Sequence, residues 1–162
     1  MLTHERLVEV LNYDPMTGLF SWRKRLAQIV KVGAIAGSIN GSGYRQIRID
    51  GRVYKAHRLA WFYIHGEWPA HDMDHAAGRR QDNRLEKIRP ATRSQNRANI
   101  GKHRNNTTGF KGVLFVRPHR WRAVIKCEKR RYHLGYFDTP EEAHAAYAEK
   151  ARELFGEFAR AG

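Results

Sequence analysis

The sequence predicts an α+β protein with a β-rich N-terminal segment and a C-terminal three-stranded antiparallel sheet packed on one helix. Two observations predict it. Strand-like runs separated by turn residues fill residues 19–56, and three more such runs, followed by a capped helix with an apolar stripe, fill residues 109–156. The stretch between them carries shorter helical signals set among polar and turn residues.

Residues 3–12 read as a short amphipathic helix, with Leu7, Val10 and Leu11 at helical spacing, stopped by the turn run DPMTG. LFSW is then a strand. GAIAGSI and YRQIRID flank the turn NGSG, and Asp50-Gly51 makes a two-residue hairpin into RVYKA. The run HRLAWFYIH (57–65) predicts a helix, because Leu59, Phe62 and Tyr63 keep helical spacing and Gly66 can end it. Residues 66–91 are polar and turn-rich around Asp74-His75. A helix over residues 93–99 follows, with Thr92 as its N-cap. The run GKHRNNTTG (101–109) is the predicted domain boundary.

Beyond it, GFKGVLFV, WRAVIKC and RRYHLGYF are three strands. Thr139-Pro140-Glu141-Glu142 opens a helix whose apolar stripe is Ala143, Ala146, Tyr147, Ala151 and Leu154, ending near Gly156. Period-two alternation puts Trp121, Ala123 and Ile125 under the helix and Arg122, Val124 and Lys126 on the open face. On the next strand Tyr132, Leu134 and Tyr136 alternate with Arg131 and His133.

Charge narrows the function classes. Thirty Lys and Arg against sixteen Asp and Glu give a net charge of +14 over 162 residues, which points to a polyanionic partner. The excess is segregated: residues 101–137 hold ten Lys/Arg and one acid, and residues 138–162 hold three Lys/Arg and six acids. The sheet is basic and its helix is not, so the sheet is the expected nucleic-acid face, against the plainer reading of a solvated sheet face. A ribbon with Arg and Lys on its open side can enter the major groove of duplex DNA. RNA binding is the weaker class, since the sheet offers no clear set of exposed aromatics for stacking bases.

The single cysteine, Cys127, excludes an intramolecular disulfide and a four-cysteine zinc site. No apolar run approaches the ~20 residues that span a bilayer, and the N-terminus lacks a signal-peptide core. A cytoplasmic, unsecreted protein with no membrane partner is expected.

The chemistry-bearing pair is Asp74-His75. Adjacent side chains at a strand end point in different directions, so the Asp can ligate a hard cation while the His faces a water molecule. A neutral His, with an ordinary pKa of about 6.5, is a suitable base at neutral pH.

Two family resemblances sharpen this reading. The string YKAHRLAWFYIHGEWP, then MDHAAGRRQDNRLEKIRPATRSQN, within residues 44–99, resembles the HNH endonucleases of phages and mobile introns, in particular the homing-endonuclease subfamily. That resemblance implies a central ββα-metal core in a nuclease domain of residues 1–100. It implies Asp74 and Asn96 as ligands of one divalent metal, Mg2+ or Mn2+, and His75 as the general base. Asn83 and His57 are expected to support the loop, and Arg58 to contact phosphate. The implied reaction is hydrolysis of DNA to 5′-phosphate and 3′-hydroxyl ends, by a monomer without a small-molecule cofactor. The family usually has Asn where this chain has Lys87, and Lys cannot reproduce the bonds of that amide. The alternative is therefore an HNH-fold DNA-binding protein or regulator impaired in cleavage. The leader, with DPMTGLFSW and AGSINGSGYRQIRIDG, resembles the segment that precedes this core in phage proteins.

Past a linker at residues 101–108, residues 109–162 form the second expected domain. KGV, WRA, HLGYFDTPEEAHAAY and GEFA resemble the Apetala-two/ethylene-response-factor DNA-binding domain, in which a sheet lies in the major groove. Carried over by position, Lys126, Arg131 and His133 fall at DNA-contacting places, and Arg122 joins them on the open face. Leu114, Val116 and Val124 stand where plant members tend to carry charge, so no plant recognition sequence transfers.

Overall fold

Thr3 starts the first helix: its hydroxyl accepts from the Arg6 amide at 3.2 Å, opening α1 (His4–Val10), whose Leu7 and Val10 turn inward. The structure, a computed structural model, describes residues 1–103, 105–116 and 118–162; Arg104 of the expected linker lies outside them. The chain divides into two compact units, Met1–Pro90 and Ala91–Gly162.

In the first unit α1 stops earlier than its apolar spacing suggested. Leu11 and Tyr13 are buried while Asn12 is exposed, a period of two, so β1 (Leu11–Asp14) runs straight out of the helix. It pairs antiparallel with β2 (Leu19–Trp22), Leu11 opposite Trp22 and Asp14 opposite Leu19. The run DPMTG is thus a hairpin turn, held by Asp14, which accepts from the Met16 amide at 2.9 Å and the Thr17 hydroxyl at 2.7 Å.

A second sheet is ordered β3 (Ser38–Ile39), β4 (Arg45–Ile49), β5 (Arg52–Lys55). The strand expected over GAIAGSI shrinks to its last two residues. The segment before Ser38 is drawn aside to β2: Ile35 bridges Ser21, and the Ala36 amide donates to the Phe20 carbonyl at 2.7 Å. The Asp50-Gly51 hairpin forms as predicted, with Ile49 opposite Arg52.

Next comes α2 (Ala56–His65), the predicted helix, which buries Ala56, His57, Leu59, Ala60 and Phe62 and ends on Gly66. It closes a core with Leu7, Leu11, Phe20, Ile47 and Ile49. Each such side chain removed from water contributes roughly 1.5–3 kcal/mol before entropy is subtracted. β6 (Asp72–His75) and β7 (Ile88–Ala91) then form a two-stranded ribbon, joined by a loop that ends in a single 3-10 turn at Leu85–Lys87.

In the second unit, α3 (Arg93–Asn99) opens on a reciprocal cap. Thr92 accepts from the Gln95 amide at 3.2 Å, and the Gln95 side chain accepts from the Thr92 amide at 2.8 Å. β8 (Val113–Val116), β9 (Arg120–Cys127) and β10 (Arg130–Phe137) make the expected antiparallel sheet in the order β10-β9-β8. Helix α4 (Pro140–Phe155) packs on it, capped by Thr139 and ending at Gly156, and its Ala143, Tyr147 and Ala151 join Val113, Ala123 and Ile125 in the interior. Here Gly112 is required: its φ is +75°, and any Cβ would collide with the Tyr147 ring.

One face assignment changes. A bulge between His133 and Gly135 shifts the register of β10, so Tyr136 lies opposite Arg122 on the open face and Phe137 opposite Trp121. Simple alternation had grouped Tyr136 with Tyr132 and Leu134. Among the described residues no helix is long and apolar enough to cross a membrane.

Candidate active site

His75 closes β6, and its ring is 5% exposed. Its Nε2 lies 3.3 Å from Oδ1 of Asn83, the most enclosed polar side chain nearby at 1% exposure. The Asn83 amide also donates from Nδ2 to the Gln81 carbonyl at 3.0 Å, which turns Oδ1 toward the imidazole. An amide oxygen is an acceptor, so Asn83 presents an acceptor to Nε2 of His75. Burial pushes the His75 pKa below its ordinary value, against the opposing pull of the Asn83 bond and the Asp74 and Asp82 carboxylates. The ring is neutral at pH 7, the state a base requires.

Three supports fix the loop carrying Asn83. The Ala76 amide donates to the Lys87 carbonyl at 2.9 Å, clamping the loop's two ends through the backbone. The Tyr13 hydroxyl donates to the Asn83 carbonyl at 2.7 Å, and burial raises the Tyr13 pKa to about 12, keeping that donor protonated. Gly18, with φ +71°, presses on the same stretch: an added Cβ would sit 2.7 Å from the Asn83 carbonyl carbon and nearer still to the Arg84 amide. The sequence reading passed over Tyr13 and Gly18. Their only signal was the hairpin turn DPMTG, which says nothing of a partner some seventy residues away.

Lys87 points out of this arrangement. Its Nζ pairs with Glu86 at 3.1 Å, and its side chain is 42% exposed. The Lys87 carbonyl, not its side chain, meets the Ala76 amide, and the Asn83 side chain meets the Gln81 carbonyl and His75.

His57, from the first turn of α2, packs edge-on to His75 with ring centres 4.8 Å apart, and Tyr44 lies 5.5 Å from His57. The His57 ring is buried and its Nδ1 has no hydrogen-bond partner among the described residues. Burial, then the neighbouring His75, pushes its pKa down to about 3, so it is a neutral wall of the site. Arg58 is turned to the entry of β6, donating to the carbonyls of His71 at 3.2 Å and Pro69 at 3.3 Å.

Asp74 is 4% exposed, and its Oδ2 accepts from Arg89 Nε at 3.3 Å, so this buried carboxylate has a compensating cation. Arg89 went unremarked in the sequence. Among the described residues no group of three or more His, Cys, Asp and Glu side chains is placed to hold a metal ion. A buried carboxylate is the donor type that suits a hard cation such as Mg2+, which takes one or two protein oxygens and completes its shell with water and substrate phosphate. Asn96, the other expected donor, lies in the first half of α3, in the second unit.

On the second unit's sheet, Arg122, Lys126, Arg131 and His133 share the open face. Lys126 stands opposite Arg131 and Val124 opposite His133. The bulge adds Tyr136 to them, 49% exposed and 4.8 Å from the His133 ring.

Residues 54–98 match the family described as HNH endonuclease. Over 114 residues the chain is 30% identical to Protein 3.8 of Escherichia phage T7, covering 67% of this chain and 93% of that protein. No solved structure matches the chain.

Proposed function

Because the chain belongs to the HNH endonuclease family, we propose that it is a metal-dependent DNA endonuclease in which His75 is the general base. The observation that carries this reading is the His75–Asn83 bond, which orients a buried, neutral imidazole beside a buried carboxylate. In this proposal β6 and β7 are the ribbon and α3 the helix of the ββα core. His75 takes a proton from a water molecule aligned with a backbone phosphorus. The water oxygen bonds to phosphorus as the bond to the 3′-oxygen breaks, giving a 5′-phosphate and, after protonation from solvent, a 3′-hydroxyl. Asp74 and Asn96 are the oxygen donors proposed for Mg2+ or Mn2+, which when bound supplies charge stabilisation at the phosphate and the leaving oxygen. Asn83 and His57 position the imidazole.

Residues 109–162 are proposed to deliver the enzyme to DNA as an Apetala-two-like domain, with Arg122, Lys126, Arg131 and His133 toward the major groove and residues 101–108 as the functional linker. A non-cleaving DNA-binding protein is the competing reading, and its basis is Lys87. The exposed Lys87 side chain, with the loop clamped through its carbonyl, favours the enzyme.

Supercoiled plasmid incubated with Mg2+ separates the two. The wild type should nick it, chelation with EDTA should stop the reaction, and His75→Ala should abolish nicking while still shifting DNA in a gel. Wild-type protein that shifts DNA but never nicks it under Mg2+ or Mn2+ would leave the binding protein as the answer.

A further inference from the structure

Tyr44 lies 5.8 Å, ring centre to ring centre, from His75, and it gathers positive charge. Lys55 Nζ is 4.9 Å and the Arg80 guanidinium carbon 5.2 Å from the centre of the Tyr44 ring. The two cations come from different elements: Lys55 ends β5, and Arg80 belongs to the loop after β6.

The ring is held firmly enough to place them. Asn40 Oδ1 accepts from the Ser42 and Tyr44 amides, each at 3.0 Å, and Arg80 Nη1 donates to the Ser42 carbonyl at 2.8 Å. That last bond ties the His75 loop to the Tyr44 turn and still leaves a guanidinium edge for another acceptor.

Three cations of the same loop and ribbon are neutralised. Arg84 pairs with Asp82 at 2.7 Å, Lys87 with Glu86 at 3.1 Å and Arg89 with Asp74 at 3.3 Å. Lys55 and Arg80 are exposed and meet no carboxylate among the described residues. Two positive charges sharing one ring repel each other, and the ring face offsets only part of that cost. A phosphate drawn to these cations offsets that repulsion.

We propose that Lys55 and Arg80, set on the Tyr44 ring, form an anion site that takes backbone phosphates of the DNA strand presented to His75. Its ligand is a phosphodiester, recognised by charge and without regard to base. The orientation toward His75 rests on the nuclease reading, whereas the charge and geometry of the site do not.

The test uses the full chain and a duplex oligonucleotide, with affinity followed across a salt series. Each phosphate contact contributes about 0.9 to the slope of log K against log salt concentration, so Lys55→Gln combined with Arg80→Gln should make that slope shallower by about 2. Arg80→Lys alone should keep its share, because charge is what the site supplies. The plasmid KM for nicking should rise in the double variant. Both side chains are exposed, so unchanged thermal melting serves as the folding control. An unchanged slope with an unchanged KM overturns the anion site, even if the wild type nicks normally. A shallower slope in a protein that never nicks supports the anion site and removes only the nuclease reading.

Discussion

The two units hold their functional side chains over very different sequence distances. Around His75 the supports arrive from far along the chain: Tyr13 reaches Asn83 across 70 positions, and Arg80 reaches Ser42 across 38. In the unit of Ala91–Gly162 the helix caps and the strand pairs that present the open face join neighbours in the chain, while longer bonds such as Lys111 to Arg160 close its interior side. Thr92 caps onto Gln95, Thr139 onto Glu142, and the sheet is two tight hairpins. Long-range closure costs more chain entropy before any contact repays it. The first unit should therefore be the slower to form and the more sensitive to changes remote from its chemistry, while the second tolerates anything that spares its caps and its interior.

The largest expected effect tests whether the distant supports serve catalysis at all. His75→Ala should lower the nicking rate by roughly 10²–10⁴-fold, the usual contribution of a general base. Gel shift should be unchanged if DNA binding resides in the second unit.

Next come the two glycines that mirror each other. Gly18→Ala and Gly112→Ala each force a Cβ into a neighbour at positive φ, and each should destabilise its own unit by about 1–3 kcal/mol or more. Hydrogen exchange read unit by unit checks this. Gly18→Ala should raise exchange around Asn83 and slow nicking, whereas Gly112→Ala should loosen the sheet and weaken DNA binding. Equal loosening of both units by either change would contradict the contrast.

Acid should affect the first unit through His57. Its folded pKa of about 3 lies below the ordinary 6.5, so between those values the unfolded chain holds a proton that the folded chain does not. Stability is thus full above pH 6.5 and falls as the pH drops toward 3. His57→Leu should flatten that fall in thermal melts taken across the range, and an identical pH dependence would assign the acid sensitivity elsewhere. The smallest effect belongs to Lys87→Asn. With the side chain outside the loop, stability should change by no more than ~0.5 kcal/mol and nicking should be unaltered. A gain of nicking would mean that the loop is held less well than its hydrogen bonds indicate.

How much of this was legible in the sequence follows the same division. Thr92, Thr139 and Gly156 announced their helix ends because capping is decided within four residues. The three C-terminal strands were equally plain, and only the bulge near Leu134, which adds one residue without changing composition, misplaced Tyr136. Asp74, His75 and Asn83 could be named from the order of residues in the chain. The hydrogen bond between the last two, and the roles of Tyr13, Gly18 and Arg89 around them, depend on tertiary approach that no local pattern encodes. The predicted helix overruns the first two residues of β1 for a related reason: Leu11 continues the helical spacing of Leu7 and Val10 and also opens the alternation with Tyr13, and pairing with β2 decides between them.

The brace from the Tyr13–Gly18 hairpin to the Asn83 loop has a consequence for anyone moving this nuclease segment between proteins. Residues 54–98 contain His57, Asp74, His75 and Asn83, yet a graft of that stretch alone would leave Tyr13, Gly18 and Tyr44 behind. It would carry the proposed base and its Asn83 partner without the brace that holds their loop. The transferable piece begins no later than Tyr13.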